Sequence, residues 1–418
     1  MAFTPYTGYQ YLLIDICNQH GGDKMVFEDR IQWTENNIAV LELLADDEGV
    51  CKPLYLKAVM ALRKAQAGLP SGHRVGLDAV CSGTQIMAVL TGCMAGADAT
   101  GLVDPNRRAD AYSQCTEVMR SLLGTSFDLK RNDIKRAFMT SFFGSKRVPK
   151  LLFGEATPEL GAFYQALETI APGPWALMDV LLNSWQGGQK CHDWKLPDGF
   201  DAHIPVMVDK DCTIEVDELE GTTFTMYYKV NAGLPNGHMK AKSNAANVVH
   251  SIDGMVVREM HRRCNYNRET MEYVASVIEA EQIRRALGGS KQAAVGIKVG
   301  YYQEQYHRSG MPCAVILPWI DNENVVQLEA KHLKALSRMV NSMLAYSPFE
   351  LVTVHDEFSA HPNNLNHVRQ NYIDILAELA DAEVLSDLLS QLHGKKGHYP
   401  KLSKNLSTSI RASAYAIC

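Results

Sequence analysis

The chain contains the segment GLDAVCSGTQ at residues 76–85, in which an apolar run ends at Asp78 and small residues follow. The segment LVTVHDEF at residues 351–358 has a similar design, because a β-branched run leads into His355 and Asp356. Short apolar, β-branched runs predict buried strands. We therefore expect two aspartates, each buried at the end of a strand, to lie on adjacent strands of one sheet.

Paired carboxylates of this kind indicate a site for two divalent cations. In two-metal phosphoryl transfer the ions lie ~3.5–4 Å apart and stabilise the attacking and leaving oxygens. Mg²⁺ takes hard oxygen ligands and only one or two carboxylates, because substrate phosphates complete its shell. Asp78 and Asp356 are the candidate ligands, and the small residues after Asp78 allow the main-chain carbonyl of Ala79 to approach a metal. Taken alone, either aspartate could simply end a strand in a turn.

The segment RNDIKRAFMTSFFGS at residues 131–145 predicts a helix with a basic and apolar stripe. Arg131 and Lys135 are four residues apart, so both project from one face. A guanidinium fork and a compact ammonium group suit a triphosphate. Met139 and Phe143 continue the stripe as an apolar floor for base and sugar. Alone this is an amphipathic helix with a charged end, but together with the paired aspartates it indicates template-directed nucleotidyl transfer.

Composition limits the classes of protein that the chain can represent. Its 418 residues suffice for two or three lobes around a large core, and 46% hydrophobic with 21% charged residues is ordinary for a globular protein. We find no apolar run near the length of a membrane span and no leader at the start, and we expect a cytoplasmic protein without membrane contact. A net charge of −6 argues against a simple nucleic-acid coat.

The ten cysteines are scattered without a CxxC pair, which predicts free thiols in a reducing compartment. His261 with Cys264, or Cys191 with His192, are only weak candidates for metal ligands. Periodicity predicts mainly helices over residues 1–70, 106–170, 255–290 and 329–345, and one long amphipathic helix over 364–392. Short strands are predicted around residues 187–228, and strands at 73–80 and 349–354.

The three segments resemble motifs A, B and C of the single-subunit RNA polymerases of bacteriophages and mitochondria, which share a hand-shaped superfamily with family A DNA polymerases. Two further blocks match: NVVHSIDG at residues 247–254 resembles the family's histidine element, and DKMVFEDR at residues 23–30 an upstream palm element. The order and approximate spacing agree over nearly the whole chain. The resemblance implies an α+β right-hand polymerase fold, with an antiparallel palm sheet and largely helical fingers.

The resemblance also implies a role for each matching residue. Asp78 and Asp356 hold two Mg²⁺ ions and count as catalytic together with Lys135 and His355, the latter supporting the primer end. The incoming nucleotide is contacted through its triphosphate, base and sugar by Lys24, Arg131, Lys135, Met139, Phe143, Tyr112, His250 and Gly83. Residues 413–418 resemble the apolar C-terminal foot that tucks toward the active site.

The residues around the expected sugar site give opposite indications about whether the enzyme selects ribose over deoxyribose. Family A DNA polymerases carry a glutamate five residues after the motif A aspartate, where this chain has Gly83, so nothing bulky excludes a ribose. His250 adds a polar partner for the 2′-hydroxyl. In contrast, the family's tyrosine at the end of motif B is Phe143 here. We expect an RNA product with relaxed sugar selectivity.

The implied domains are a first palm part with motif A (1–105), fingers with motif B and a strand-rich, specificity-loop-like segment (106–245), the histidine element (246–263), an insertion (264–335) and a second palm part with motif C and the foot (336–418). We expect the family's thumb and N-terminal domain to be absent from this chain. A second subunit would supply them, as in split, two-subunit phage polymerases.

The expected function is therefore DNA-templated RNA synthesis by the catalytic subunit of a heterodimeric phage polymerase, acting on DNA template, nascent RNA and rNTPs in the host cytoplasm. One alternative is a DNA polymerase or a primase-like enzyme, and Gly83 argues against a DNA polymerase. The other alternative is a non-catalytic nucleic-acid-binding subunit. The intact Asp78, Asp356, Arg131 and Lys135 argue against the latter. The insertion at 264–335, with Arg284, could contact nucleic acid or a partner, or be a solvated lobe.

Overall fold

The computed structural model describes residues 3–124, 131–216, 224–235, 242–289 and 296–418. This part of the chain combines many helices with small antiparallel sheets, as expected for the α+β class. The helices are α1 Gly8–Cys17, α2 Phe27–Asn36, α3 Lys52–Gln66, α4 Ser82–Thr91, α5 Met94–Ala99, α6 Ala111–Leu123, α7 Arg131–Ser141, α8 Arg147–Phe153, α9 Pro158–Ile170, α10 Pro172–Asn183, α11 Lys242–Cys264, α12 Arg268–Ala286, α13 Ile297–Ser309, α14 Ala330–Leu344, α15 Leu365–Asp381, α16 Val384–His393 and α17 Leu406–Ala412. The strands are β1 Val75–Asp78, β2 Cys191–Lys195, β3 Asp201–Pro205, β4 Met207–Val216, β5 Phe224–Pro235, β6 Val352–Val354 and β7 Glu357–Ala360.

A three-stranded antiparallel sheet with the order β1-β7-β6 carries the motif A and motif C segments. Asp78 lies opposite Glu357 in the β1–β7 register, and a two-residue turn, His355-Asp356, joins β6 to β7. The C-terminus continues this sheet, since Ala79 forms a β-bridge with Ile417. The last residues of the chain therefore lie beside the end of β1.

Two helices that position the site begin at recognisable caps. Asp110 accepts hydrogen bonds from the main-chain N–H groups of Tyr112 and Ser113, which caps α6. Cys81 precedes α4 in the left-handed conformation, with φ 61°, and turns the chain from β1 directly into this helix. The strand–turn–helix at motif A is thus compact enough for Asp78 and Gly83 to line the same cleft.

Several predicted element boundaries were wrong. Asp356 does not lie on a strand adjacent to that of Asp78, because it occupies the turn before β7, a strand that we did not predict. The predicted helix over 364–392 is two helices, since Ala382 is extended and the N–H of Glu383 donates to the carbonyl of Ser309 instead of continuing the helix. The predicted helix over 255–290 also divides, because Asn267 caps a new helix, α12.

The described residues form two hydrophobic cores. The main core surrounds the β1-β7-β6 sheet and is built largely from α1, α4, α11 and α15, with fully buried residues such as Ile14, Val89, Ile252 and Leu376. A smaller core lies between α12, α14 and the turn at Ala314–Trp319. This second core falls largely within residues 264–335. In this lobe Arg284 and its neighbour Arg285 both pair with Glu281, so these two guanidinium groups are already engaged.

A buried ion pair fastens the β2–β3 turn to α11. The carboxylate of Asp198 is fully buried and accepts hydrogen bonds from Arg258 at 2.6 Å and from Arg262 at 3.0 Å. Burial alone would raise the pKa of Asp198, but the two guanidinium groups outweigh it and lower the pKa below the ordinary value. This ion pair holds α11 in place, and the turns of α11 that precede Arg258 face the functional cleft.

The β4–β5 ribbon pairs antiparallel and its described side chains are mostly solvent-exposed, including Tyr227 at 79%. Its face with Asp209, Asp211 and Glu215 is acidic. The predicted acidic residues Asp217 and Glu218 lie outside the described residues. No helix in the described ranges has both the length and the apolar character required to cross a membrane.

Candidate active site

A cleft of about 630 Å³ opens where α4, α7, α11 and the β1-β7-β6 sheet meet. Its lining joins residues from motif segments that are far apart in sequence. The predicted site residues that line it are Asp78, Ala79, Gly83, Tyr112, Lys135, Met139, Phe143, His250, His355 and Asp356. Lys24 and Arg131 are not among the residues that line the cleft.

Main-chain hydrogen bonds hold the two aspartates beside each other. The N–H of Ala79 donates to the carbonyl of Asp356 at 3.2 Å, and the N–H of Cys418 donates to the carbonyl of Asp78 at 3.0 Å. The expectation that both aspartates are buried was wrong, because Asp78 is exposed to the cleft and Asp356 is half-buried. Both carboxylates are thus accessible to a ligand.

The surroundings of Asp78 disfavour its ionised form. Burial by the cleft walls raises its pKa to about 6, and the neighbouring charges of Asp356 and Glu357 add to the shift, while Lys135 opposes it. A carboxylate held in this way gains from any cation that binds between it and its neighbours. Raised pKa values of this kind occur at functional sites and in structural acid clusters alike.

The donor set fits a pair of Mg²⁺ ions. Two accessible carboxylates match the small number of protein ligands that Mg²⁺ takes when substrate phosphates complete its shell. The carbonyl of Ala79 already accepts the N–H of Cys81 at 3.0 Å, so it retains one lone pair for a cation. Asp78, Asp356 and this carbonyl are therefore the groups able to hold the metal.

The turn of motif C presents His355 to the cleft. His355 has φ 55°, a left-handed conformation that costs a non-glycine residue on the order of 1 kcal/mol or more. Its side chain is exposed. The strained turn is stabilised by the β6–β7 and β1–β7 pairings, and it directs both His355 and Asp356 toward the cleft.

Helix α7 contributes Lys135 and Met139 to the cleft, but Arg131 is engaged elsewhere. Arg131 donates to both carboxylate oxygens of Asp110, at 2.8 and 3.2 Å, and its guanidinium lies 5.2 Å from the ring centre of Tyr112. Burial opposes ionisation of Asp110, yet the hydrogen bonds from Arg131 outweigh it and lower the pKa of Asp110. Asp110, which we did not predict as a site residue, thus sets the position of Arg131.

Lys24 lies on an exposed loop and pairs with Asp23. The charge of Asp23 acts on Arg131 and contributes to raising its pKa, which places this loop on the same side as the start of α7. Tyr112 packs edge-on against Phe138 at the back of the cleft, and burial raises the pKa of its hydroxyl above the usual range.

Gly83, Phe143 and His250 form one corner of the cleft. A Cβ atom on Gly83 would lie 2.9 Å from Cζ of Phe143, so the ring covers this glycine. The Phe143 ring meets His250 edge-on, with ring centres 5.2 Å apart. Phe143 follows the end of α7 at Ser141 and does not continue the helical stripe, contrary to our expectation. Burial and the nearby His355 lower the pKa of His250, which favours its neutral form.

Asp253 is a cleft residue that sequence reasoning did not single out. It lies three residues after His250 on α11 and lines the same cavity. Burial and the charge of Asp356 raise its pKa to about 6, while His355 opposes the shift. The helical spacing from His250 was the one signal in the sequence that could have identified it.

The weak cysteine-based metal candidates are not brought together as proposed. His192 is buried and hydrogen-bonds Asn244, whereas Cys264 contacts Asn371. Within the described ranges, one group of three or more metal-ligand side chains has all its ligand atoms within 4.8 Å, on the β2–β3 hairpin. It consists of Cys191, Asp193 and His203.

The cleft brings together acidic, basic and histidine side chains from separate motif segments, and comparison with known families adds one finding. Residues 4–150 match the family model described as DNA-dependent RNA polymerase. This match over residues 4–150 supports the predicted resemblance to the single-subunit RNA polymerases of phages and mitochondria and a DNA-directed RNA polymerase activity. The matched part contains the motif A and motif B segments, whereas the histidine element and motif C follow it. No curated protein matches the chain at a significant level.

Proposed function

We propose that this chain is the catalytic subunit of a phage RNA polymerase and that the described cleft is its active site, within a right-hand fold of palm and fingers divided as the sequence predicts. One observation carries the proposal. Asp78 and Asp356 come from segments almost 280 residues apart, yet one main-chain hydrogen bond joins Ala79 to Asp356 and Lys135 faces the same cavity.

In the proposed reaction, the 3′-hydroxyl oxygen of the RNA attacks the α-phosphorus of an rNTP, a new P–O bond forms, and the bond to the β-phosphate breaks with loss of pyrophosphate. Asp78, Asp356 and the carbonyl of Ala79 would hold two Mg²⁺ ions, which supply activation of the hydroxyl and neutralisation of the leaving group. Lys135 places a positive charge where the triphosphate binds. His355, beside Asp356, orients the primer end.

The corner formed by Gly83, Phe143 and His250 accommodates the sugar. With no side chain at Gly83, the ribose 2′-hydroxyl meets no bulky group, and the neutral imidazole of His250 can donate or accept a hydrogen bond. Met139, which is partly exposed on α7, provides apolar contact for the base. Arg131 and Lys24 stand near the cleft rather than in it, so we propose that they contact the outer phosphates when nucleotide binds.

We also propose that a second protein subunit contributes to binding of the template and nascent RNA, as in the split phage enzymes that the motifs resemble. We further propose that the complex acts in the host cytoplasm. Purification of the tagged chain from infected cells tests this. Recovery of a stoichiometric polymerase-like partner supports the heterodimer, and a fully processive single chain contradicts it.

Primer extension on a preformed RNA–DNA scaffold tests the catalytic proposal. The chain is assayed with Mg²⁺ and all four rNTPs beside Asp78→Ala and Asp356→Ala, with Glu279→Ala on the exposed surface of α12 as a control for loss of one carboxylate. We expect extension by the parent and the control, at least 1,000-fold less by either active-site variant, and similar scaffold binding by all four. Undiminished extension by Asp356→Ala would refute the metal assignment.

A further inference from the structure

Asp253 presents its carboxylate to the cleft from the middle of α11. His250, three residues earlier, and Val257, four residues later, line the same cavity, so this stripe of the helix faces the substrate space. The residue is half-buried. Because Asp253 lies in the middle of α11, its position is fixed by the helix backbone rather than by a loop.

The carboxylate of Asp253 has an unused hydrogen-bonding capacity. Other enclosed carboxylates on or near this helix are matched by arginines, as Asp198 is by Arg258 and Glu259 by Arg262. Across the ranges that the structure describes, Asp253 forms neither a hydrogen bond nor an ion pair, although the charges of Asp356 and His355 act on it and it interacts electrostatically with Tyr372. An ionised carboxylate accepts hydrogen bonds and donates none. The missing partner is therefore a donor.

A metal ion shared with the two motif aspartates does not account for this carboxylate. Among the described residues, the ligand atoms of Asp253, Asp78 and Asp356 do not all lie within 4.8 Å of one another, since the one such group is on the β2–β3 hairpin. Substrates that enter the cleft can supply such a donor, because Asp253 lines the same cavity as His250. In a nucleotide chain growing at this site, the sugar hydroxyl is a neutral donor of the right kind.

We propose that Asp253 is a specificity-determining residue that accepts a hydrogen bond from the 2′-hydroxyl of the terminal ribonucleotide of the growing strand. This inference rests on the proposed function, which assigns the incoming sugar to His250 and the primer end to His355. Asp253 lies one helical turn beyond His250 and lines the same cavity as His355, to which we assign the primer end. A deoxyribose terminus leaves the enclosed acceptor without a partner and so reacts more slowly.

The test compares two scaffolds whose RNA primers differ only in the last nucleotide, which is a ribonucleotide in one and a deoxyribonucleotide in the other. Single-nucleotide addition by the full chain gives kcat/KM for each, and their ratio is the primer-end preference. We expect the parent to prefer the ribose end, Asp253→Ala to lower this preference about 10-fold, and Asp253→Asn, a weaker neutral acceptor, to lower it less. Glu279→Ala leaves it unchanged.

Each outcome separates the inference from the proposed function. A parent without preference, or variants that add nucleotides with the parent's preference, overturns the role of Asp253 while leaving RNA synthesis intact. Equal loss on both scaffolds also overturns it, because that result indicates a structural or metal-related role. If Asp253→Ala does not fold, Asp253→Asn decides by the same ratio. Failure of the parent to extend either scaffold contradicts the proposed function itself.

Discussion

A methyl group at Gly83 tests the corner that we assign to the ribose. In Gly83→Ala the added Cβ would lie 2.9 Å from Cζ of Phe143 and 3.7 Å from Cγ1 of Val249. Because carbon atoms pack at about 3.5–4 Å, the Phe143 ring must move by roughly 0.5–1 Å. The ring meets His250 on another side, with centres 5.2 Å apart, so the displacement is transmitted to the imidazole.

The magnitude follows from two opposing terms. Overpacking of a filled site costs about 1–3 kcal/mol. Alanine in place of a helical glycine recovers about 0.5–1 kcal/mol, and Gly83 is the second residue of α4 with a φ that alanine can adopt. The free energy of unfolding should therefore fall by at most about 2.5 kcal/mol. If the strain is expressed at the nucleotide corner, kcat/KM for an rNTP falls about 5- to 30-fold.

A double-mutant cycle identifies the cause. Phe143→Leu removes the ring edge that the new methyl group would strike, so Gly83→Ala should cost about 1 kcal/mol less in its presence than in the parent. The assays are chemical unfolding and single-nucleotide addition for all four proteins. Gly161→Ala on α9 is the matched control, because its Cβ meets no atom within 4 Å. Additive effects in the cycle, or parental kcat/KM in Gly83→Ala, would refute the reasoning.

Three further outcomes are expected. Because the pKa of Asp78 is raised in the folded state, the stability that its protonated form contributes is present below pH 4 and lost as pH rises through about 6. In metal-free buffer, Asp78→Asn should therefore raise the unfolding midpoint at pH 7.5 and flatten the dependence of stability on pH. An unchanged slope contradicts the assignment. Asp198→Ala leaves Arg258 without its buried partner and should lower the free energy of unfolding by about 3–5 kcal/mol in guanidinium titrations. A loss of less than about 1 kcal/mol would argue against a structural role for this ion pair. Phe143→Tyr should increase the preference for rNTPs over dNTPs about 5-fold in competitive incorporation, because the phenol adds one polar contact, and equal selectivity excludes that contribution.

The pair of aspartates could be predicted because its signal is local. Apolar runs that end at Asp78 and Asp356 are visible in the sequence, and a polymerase resemblance places them together. A turn after the strand at 349–354 was expected, but its form as a two-residue hairpin could not be predicted, since such hairpins usually carry glycine or asparagine and this one has His355 and Asp356. The short strand after it lacks β-branched residues, so the sequence favoured no strand there.

The contacts that set side-chain direction were also invisible in the sequence. Asp110 and Arg131 are 21 residues apart, and nothing in their local patterns indicates that they form a bidentate pair. Asp253 lies in a helix with apolar residues on several faces, so periodicity alone does not reveal which face meets the cleft. The motif residues were recognisable by type and order, whereas their partners depend on how distant segments pack.

The way in which the two aspartates are held explains why a repulsive pair can persist before any cation binds. Like charges drive carboxylates apart, and this repulsion adds to the effect of burial in raising the pKa of Asp78. Their spacing does not depend on side-chain contacts, because the N–H of Ala79 bonds the carbonyl of Asp356 and Cys418 bonds the carbonyl of Asp78. The main chain thus resists the repulsion that a cation would relieve. A site fixed in this way needs little rearrangement when charge develops in the transition state, which is the condition under which electrostatic stabilisation is most effective.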